Sequence, residues 1–160
     1  MESKSSDVQP MLSFRLNPQL QAVISVDELL GLATIETVAV APIPETPQAV
    51  MGIYNYRGHP VWIVDLPSLL GLTPLYLSNT RQVCSIIFLR TQHQTIGFAV
   101  HQLGQMMSFT QDQFQQDYTN PGAQRLNWCI KGTYTSNSTT MLAMQGSKMV
   151  DLLKSSEMTA

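Results

Sequence analysis

The stretch Val50 to Leu72, "VMGIYNYRGHPVWIVDLPSLLGL", decides how the rest of the chain is read. β-Branched and aromatic residues fill both halves and a glycine–proline turn divides them, which is the pattern of a β-hairpin. The reading is a strand over Ala49 to Tyr56, a turn over Arg57 to Pro60 and a second strand over Val61 to Leu66. Pro67 to Leu72 then makes a short helical turn that Gly71 closes. Arg57 stands at the turn of this apolar hairpin, with Tyr54 and Tyr56 on or near its side of the sheet.

Outward from the hairpin the pattern stays β. Met11 to Leu16 alternates as a half-buried strand does, and Asn17-Pro18 breaks it. Ala22 to Leu32 begins as a strand, turns helical over Val26 to Leu30 and is ended by Gly31. Ile35 to Val40 alternates again, and the proline-rich Pro42 to Pro47 reads as a rigid loop. Further strands are expected over Val83 to Arg90, Thr95 to Leu103 and Gln105 to Phe109, with a turn at Thr91 to Gln94. Gln111 to Gln124 reads as a loop with a weak helix, Leu126 to Thr135 and Thr140 to Gln145 as strands, and Ser147 to Glu157 as an amphipathic helix. Residues 1–10 and 158–160 are expected to be tails around one domain over 11–157.

One internal echo stands out. Val50-Met51-Gly52-Ile53-Tyr54 and Ile130-Lys131-Gly132-Thr133-Tyr134 share an apolar residue, a spacer, a glycine and a tyrosine two positions on. The pairing suggests two similar small β units. Many short strands with glycine and proline turns and little helix indicate closed barrels or a sandwich.

Composition narrows the function classes. A net charge of −2 and a pI near 5.8 speak against a surface that tracks phosphates, which needs clustered Lys and Arg. Charged residues make up 12% of the chain, against about 25% in an ordinary domain. A weakly charged, apolar-rich surface fits a protein that works bound to others, and compositional drift fits it equally. No apolar run approaches the length needed to cross a bilayer, and residues 1–10 lack an apolar signal core, so the expectation is a cytoplasmic chain. Cys84 and Cys129 sit in apolar surroundings without metal or redox spacing and read as reduced core thiols.

Catalytic signatures do not appear. The sequence has no GxSxG, GxxxxGK[ST], HExxH or GxGxxG, and His59, His93 and His101 lack ligand spacing. Neither a cofactor nor a metal is expected. Asp65 reads as the N-cap of the Pro67-Ser68 turn in preference to a functional carboxylate. Trp62 and Trp128 read as core, and the Met106-Met107 pair as either a soft binding surface or core filling. For Arg57 two readings stand, a solvated turn residue or an interface anchor, since Arg and Tyr are enriched at interface hot spots. Tyr54, Tyr56 and Trp62 would serve as stacking platforms if the domain bound single-stranded nucleic acid, a reading that the acidic pI opposes.

The same residues resemble the signature of CheW-like domains. An apolar residue, any residue, glycine and a short apolar run precede Asn55-Tyr56-Arg57-Gly58, and a strand ending in Asp65-Leu66 leads to a Leu-Gly-Leu helix end. Phe14-Arg15-Leu16, the proline loop, Ile96 to Val100 and Ile130-Lys131-Gly132 extend the resemblance along the chain. "VWIVDLPSLLGLTPL" looks most like adaptors of cyanobacterial phototaxis and type IV pilus systems. The resemblance implies a mainly β fold of two intertwined five-stranded β-barrels with a short C-terminal helix. It implies a non-catalytic adaptor between the cytoplasmic tips of methyl-accepting chemoreceptors and the regulatory domain of a CheA-type histidine kinase, without membrane insertion of its own. A CheW-like module in a pilus or signalling complex without such a kinase is the alternative. By position, the implied contacts are Tyr54, Asn55, Tyr56, Arg57 and Gly58, with Leu103, Met106 and the groove between the barrels. This chain departs from the family pattern at Leu29 to Leu32, which lacks a common glutamate, at Tyr56, where an aliphatic residue is common, and at His101, where an aspartate is.

Overall fold

Two breaks in the strand pattern set the architecture. A one-turn 3-10 helix at Val26–Glu28 separates strands β2 (Leu20–Ser25) and β3 (Leu29–Glu36). His101 separates β7 (Thr95–Val100) from β8 (Gln102–Phe109). At each break the chain passes from one sheet to the other. The computed structural model describes residues 8–78, 82–92 and 94–159, so residues 1–7 of the expected tail and His93 of the expected turn lie outside the described residues.

The remaining elements are β1 (Gln9–Asn17), β4 (Val50–Tyr56), β5 (His59–Asp65), α1 (Leu66–Leu69), α2 (Leu75–Ser78), β6 (Val83–Arg90), β9 (Phe114–Gln115), α3 (Gln124–Trp128), β10 (Ile130–Ser136), β11 (Thr139–Met144) and α4 (Gly146–Thr159). One sheet runs β3-β6-β7-β5-β4 and the other β8-β1-β2-β11-β10-β9. The second is therefore built from both ends of the chain and the first from its middle. This is the mainly β, intertwined pair of units that was expected, with six strands in place of five where β9 pairs with β10.

The echo between the units is structural. A constant shift of 80 positions carries the pairs Val50↔Val64 and Tyr56↔His59 onto Ile130↔Met144 and Ser136↔Thr139. Both hairpins shift register at their glycine, between Val50 and Gly52 and between Ile130 and Gly132. Each second strand then pairs in parallel, β5 with β7 and β11 with β2.

Three apolar clusters follow from this layout. Ile35, Val61, Ile63, Ile86, Phe88 and Ala99 fill one sheet's inner face, and Met11, Val23, Phe109, Tyr134 and Met141 the other's. The largest cluster joins the two, with Phe14, Leu16 and Ile24 from one sheet, Ile87, Ile96 and Phe98 from the other, and Met149 and Leu153 from α4.

Several boundaries differ from the sequence reading, each because a tertiary contact overrides local pattern. Gln9 and Pro10 pair with Phe109 and Ser108, so the first strand begins inside the expected tail. Gly31 stops no helix; it lies within β3. Ile35 to Val40 is not one strand: after Glu36 the chain makes a 3-10 turn over Thr37–Ala39, whose Thr37 N–H donates to the Gln82 carbonyl at 2.8 Å. Trp128 ends α3, is 52% exposed, and carries the Lys148 ammonium 3.9 Å above its ring, so it is a surface residue and not core. Trp62 is half-buried.

Because the joint cluster ties both sheets together, the two units should unfold as one. Phe98→Ala, at a fully buried position of that cluster, should cost about 3 to 5 kcal/mol. Urea transitions followed by circular dichroism and by tryptophan fluorescence should shift together and stay coincident; separation of the two curves would show that the units unfold independently.

Candidate functional site

The β4–β5 hairpin closes with a two-residue turn, tighter than the four residues expected, because Tyr56 still pairs with His59. Arg57 and Gly58 carry it with φ values of 52° and 83°, the positive pair of a type I′ turn. Asn-Gly and Asp-Gly are the sequences that suit this turn, since a β-carbon is disfavoured at positive φ. Arg57 therefore holds a position that folding alone would give to another residue, and its side chain is exposed at the hairpin apex.

The strand leading to the apex divides its side chains between two faces. Asn55 is exposed on the outer face, whereas Tyr54 and Tyr56 pack inward against the Ile63–Phe88 cluster. The inward placement of Tyr54 removes it from the surface that Arg57 presents. β4 is an edge strand, and the proline loop guards it. Ala41 exchanges backbone hydrogen bonds with Ile53 at 2.8 and 2.9 Å, after which the prolines cannot extend the pairing.

Tyr56 does more than support the strand. Its ring stacks on Phe88 with centroids 3.8 Å apart and planes 12° from parallel. Its hydroxyl sits where a β-carbon on Gly31 would be. Gly31 and Phe88 are directly opposed on β3 and β6, so the missing side chain at 31 leaves a slot beside the phenyl ring. Tyr56 thus reaches from one edge strand of the sheet to the other and closes the barrel with a side chain. The Arg57 guanidinium lies 5.0 Å from the Tyr56 ring centroid.

Leu103 and Met106 are not part of this surface. Both lie on β8, an edge of the six-stranded sheet. Leu103 is half-buried against the joint cluster, and Met106 is 59% exposed while its neighbour Met107 packs inward. The Met106-Met107 pair therefore splits, one residue toward solvent and one toward the core.

A groove of about 850 Å³ opens at the seam between the units, among the β2–β3 crossover, the end of β6 and α4. Leu29, Leu30, Leu89 and Val150 supply its apolar wall, and Asp27, Glu28, Arg90, Asp151 and Lys154 supply charge of both signs. Glu28 ties the two sides together: its Oε1 accepts the Gly146 N–H at 2.8 Å, at the start of α4. The expected groove between barrels thus acquires named residues that no local motif marked. The signal available in the sequence was limited to the i,i+4 spacing of Val150 and Lys154 on the C-terminal helix.

A family model described as the CheW-like domain matches residues 10–154. The chain belongs to the CheW-like domain family. It is 30% identical over 110 residues to the chemotaxis protein CheW of Thermotoga maritima, covering 69% of this chain and 67% of that protein. The crystal structure of the scaffolding protein TtCheW from Thermoanaerobacter tengcongensis superposes with a TM-score of 0.72 at 15% identity, covering 86% of this chain and 88% of that one. At that identity the likeness is one of fold.

In this CheW-like domain the Asp65-Leu66 step is structural. Asp65 is 1% exposed; Oδ1 accepts the Ser68 N–H at 3.1 Å and Oδ2 the Leu75 N–H at 2.8 Å, so both oxygens are occupied in joining α1 and α2 to β5. Cys84 and Cys129 are free thiols; burial pushes Cys129 up to about 12 and raises Cys84, so both resist ionisation. Among the described residues no three His, Cys, Asp or Glu side chains converge on a common point that would hold a metal ion, and no helix is long and apolar enough to cross a membrane.

Burial raises the Asp65 carboxyl above its ordinary value, and the backbone donors only partly oppose it. The folded state therefore binds this proton more tightly than the unfolded state, and stability falls as pH rises from the ordinary aspartate range through the raised folded value. Urea unfolding at stepped pH should show wild type losing stability relative to Asp65→Asn across that window; a difference that ran the other way would mean that the backbone donors outweigh burial.

Proposed function

We propose that this CheW-like domain is a non-catalytic adaptor that couples the cytoplasmic tips of methyl-accepting chemoreceptors to the regulatory domain of a CheA-type histidine kinase. The observation that carries the reading is the family match over residues 10–154, together with the placement of its Asn-x-Arg-Gly segment at an exposed hairpin apex. Arg57 anchors the kinase contact, with Asn55 and Gly58 beside it at the same rim. The seam groove takes the receptor, its apolar wall and mixed charges suiting one face of an amphipathic helix. Met106, exposed on the separate β8 edge, belongs to a further contact.

Two sites on one small domain make the mechanism one of co-localisation. Binding both partners raises the effective concentration of kinase at the receptor, and tighter binding to one kinase conformation shifts its population. The protein would then work in the cytoplasm, recruited to membrane-associated receptor complexes, without nucleic acid. The assignment to phototaxis or type IV pilus motility rests on the "VWIVDLPSLLGLTPL" wording; deletion of the gene followed by motility assays tests it.

Arg57→Asn separates function from folding. Asn-Gly suits the turn better than Arg-Gly, so denaturation should show stability unchanged or slightly raised. Binding to the regulatory domain of the CheA-type kinase of the same organism, measured by titration calorimetry, should weaken by roughly 1 to 3 kcal/mol. Undiminished binding would remove Arg57 from the interface.

A further inference from the structure

We propose that Gly31 and Tyr56 act as one coupled pair that positions Arg57, and that the guanidinium held in this way docks a carboxylate on the partner kinase. The proposal rests on the reading of Arg57 as the kinase anchor and adds what holds it and what it binds.

Phe88 covers one face of the Tyr56 ring in a parallel stack. The guanidinium, 5.0 Å from the centroid, is left the other face, because a ring at 3.8 Å excludes it from the first. Phe88 backs the ring on one face, and the Tyr56 hydroxyl fills the volume a β-carbon on Gly31 would take. Rigidity passes in this way from the β3–β6 pair Gly31↔Phe88 through Tyr56 to the apex. An exposed arginine normally loses side-chain freedom when it binds; a cation–π platform removes part of that loss beforehand. A guanidinium lying over a ring keeps its N–H fork free at the edge, which matches the two oxygens of a carboxylate. Among the described residues no carboxylate pairs with Arg57, and its side chain is exposed.

The geometry makes a demanding prediction about two residues that are 25 positions apart in sequence, as Gly31 and Tyr56 are. Gly31→Ala collides with the Tyr56 hydroxyl, but once that oxygen is removed the next atom, Cζ, lies at an ordinary 3.5 Å from the new methyl. Gly31→Ala should therefore be rescued by Tyr56→Phe, which alone keeps the stack and the platform.

The test uses the full chain and the regulatory domain of the CheA-type kinase of the same organism. Gly31→Ala and Tyr56→Leu should each weaken binding roughly three- to tenfold, Tyr56→Phe should bind as wild type, and the double variant Gly31→Ala/Tyr56→Phe should return to within about twofold of it. By NMR, the Arg57 side-chain protons should show a ring-current shift in wild type, Tyr56→Phe and the double variant, and lose it in Tyr56→Leu. The shift needs no partner, so it decides the positioning claim even where Gly31→Ala does not fold. Replacing acidic residues of the kinase domain singly by their amides should reveal one whose loss matches Arg57→Asn and adds nothing to it. Unchanged binding in Tyr56→Leu, a double variant as weak as Gly31→Ala, or an unshifted Arg57 overturns the positioning pair. Absence of any such amide variant overturns the carboxylate. A wild-type protein that fails to bind the kinase at all overturns the proposed function and the carboxylate with it, while the ring-current shift still stands or falls alone.

Discussion

The parallel pairing of β2 with β11, which sets Ala22 beside Leu142, is the constraint on which the rest of the structure depends. It brings together segments about 120 residues apart, and closing so long a loop has an entropic cost that must be met before the contact contributes anything. The chain between these two strands contains the whole five-stranded sheet, β3 to β7. The joint cluster supplies the return, because Phe14, Phe98, Leu66 and Met149 come from different parts of the chain and bury against one another. Interleaving the units in this way leaves a seam at their boundary, where the groove lies.

The repeated hairpin shows which features of the site belong to folding and which do not. With a shift of 80 positions, the turn Arg57-Gly58 corresponds to Asn137-Ser138, and all four residues have positive φ. In the second unit the first turn position is asparagine, a residue that tolerates the left-handed region. In the first it is arginine, which gains nothing from that backbone. Tyr54 corresponds to Tyr134, and both tyrosines pack inward. The inner tyrosine is thus part of the common scaffold, and the arginine is an addition to one copy.

What could be read from the sequence was what is decided locally. The β4–β5 hairpin, the proline-rich loop that leads into it and the Asp65 cap are each set by residues close together in sequence, and all three are present. The errors share a different cause. Gly31 resembled a helix stop because nothing nearby showed that a tyrosine from another strand fills its place. Trp128 resembled a core strand residue because "LNWCIK" is apolar, yet the chain is helical there and the ring faces solvent under Lys148. A single strand from Thr95 to Leu103 was expected because the alternation continues through His101, where the chain in fact changes sheets and the His101 N–H donates to the Arg15 carbonyl at 2.9 Å. Leu103 and Met106 lie beyond that change of sheets, on β8.

The two departures at Gly31 and Tyr56 then become one. A side chain at position 31 would occupy the site of the Tyr56 hydroxyl, and a smaller aliphatic residue at 56 would leave the slot beside Phe88 unfilled, at a cost that grows with the volume of the void. Neither change is well tolerated without the other, so the pair behaves as a unit of packing. Because Arg57 follows Tyr56 directly and lies 5.0 Å from its ring centroid, the proposed positioning of the guanidinium rests on that unit of packing. A substitution in the barrel interior on β3 is in this way connected to the surface offered to a partner, through two ring faces and one missing β-carbon.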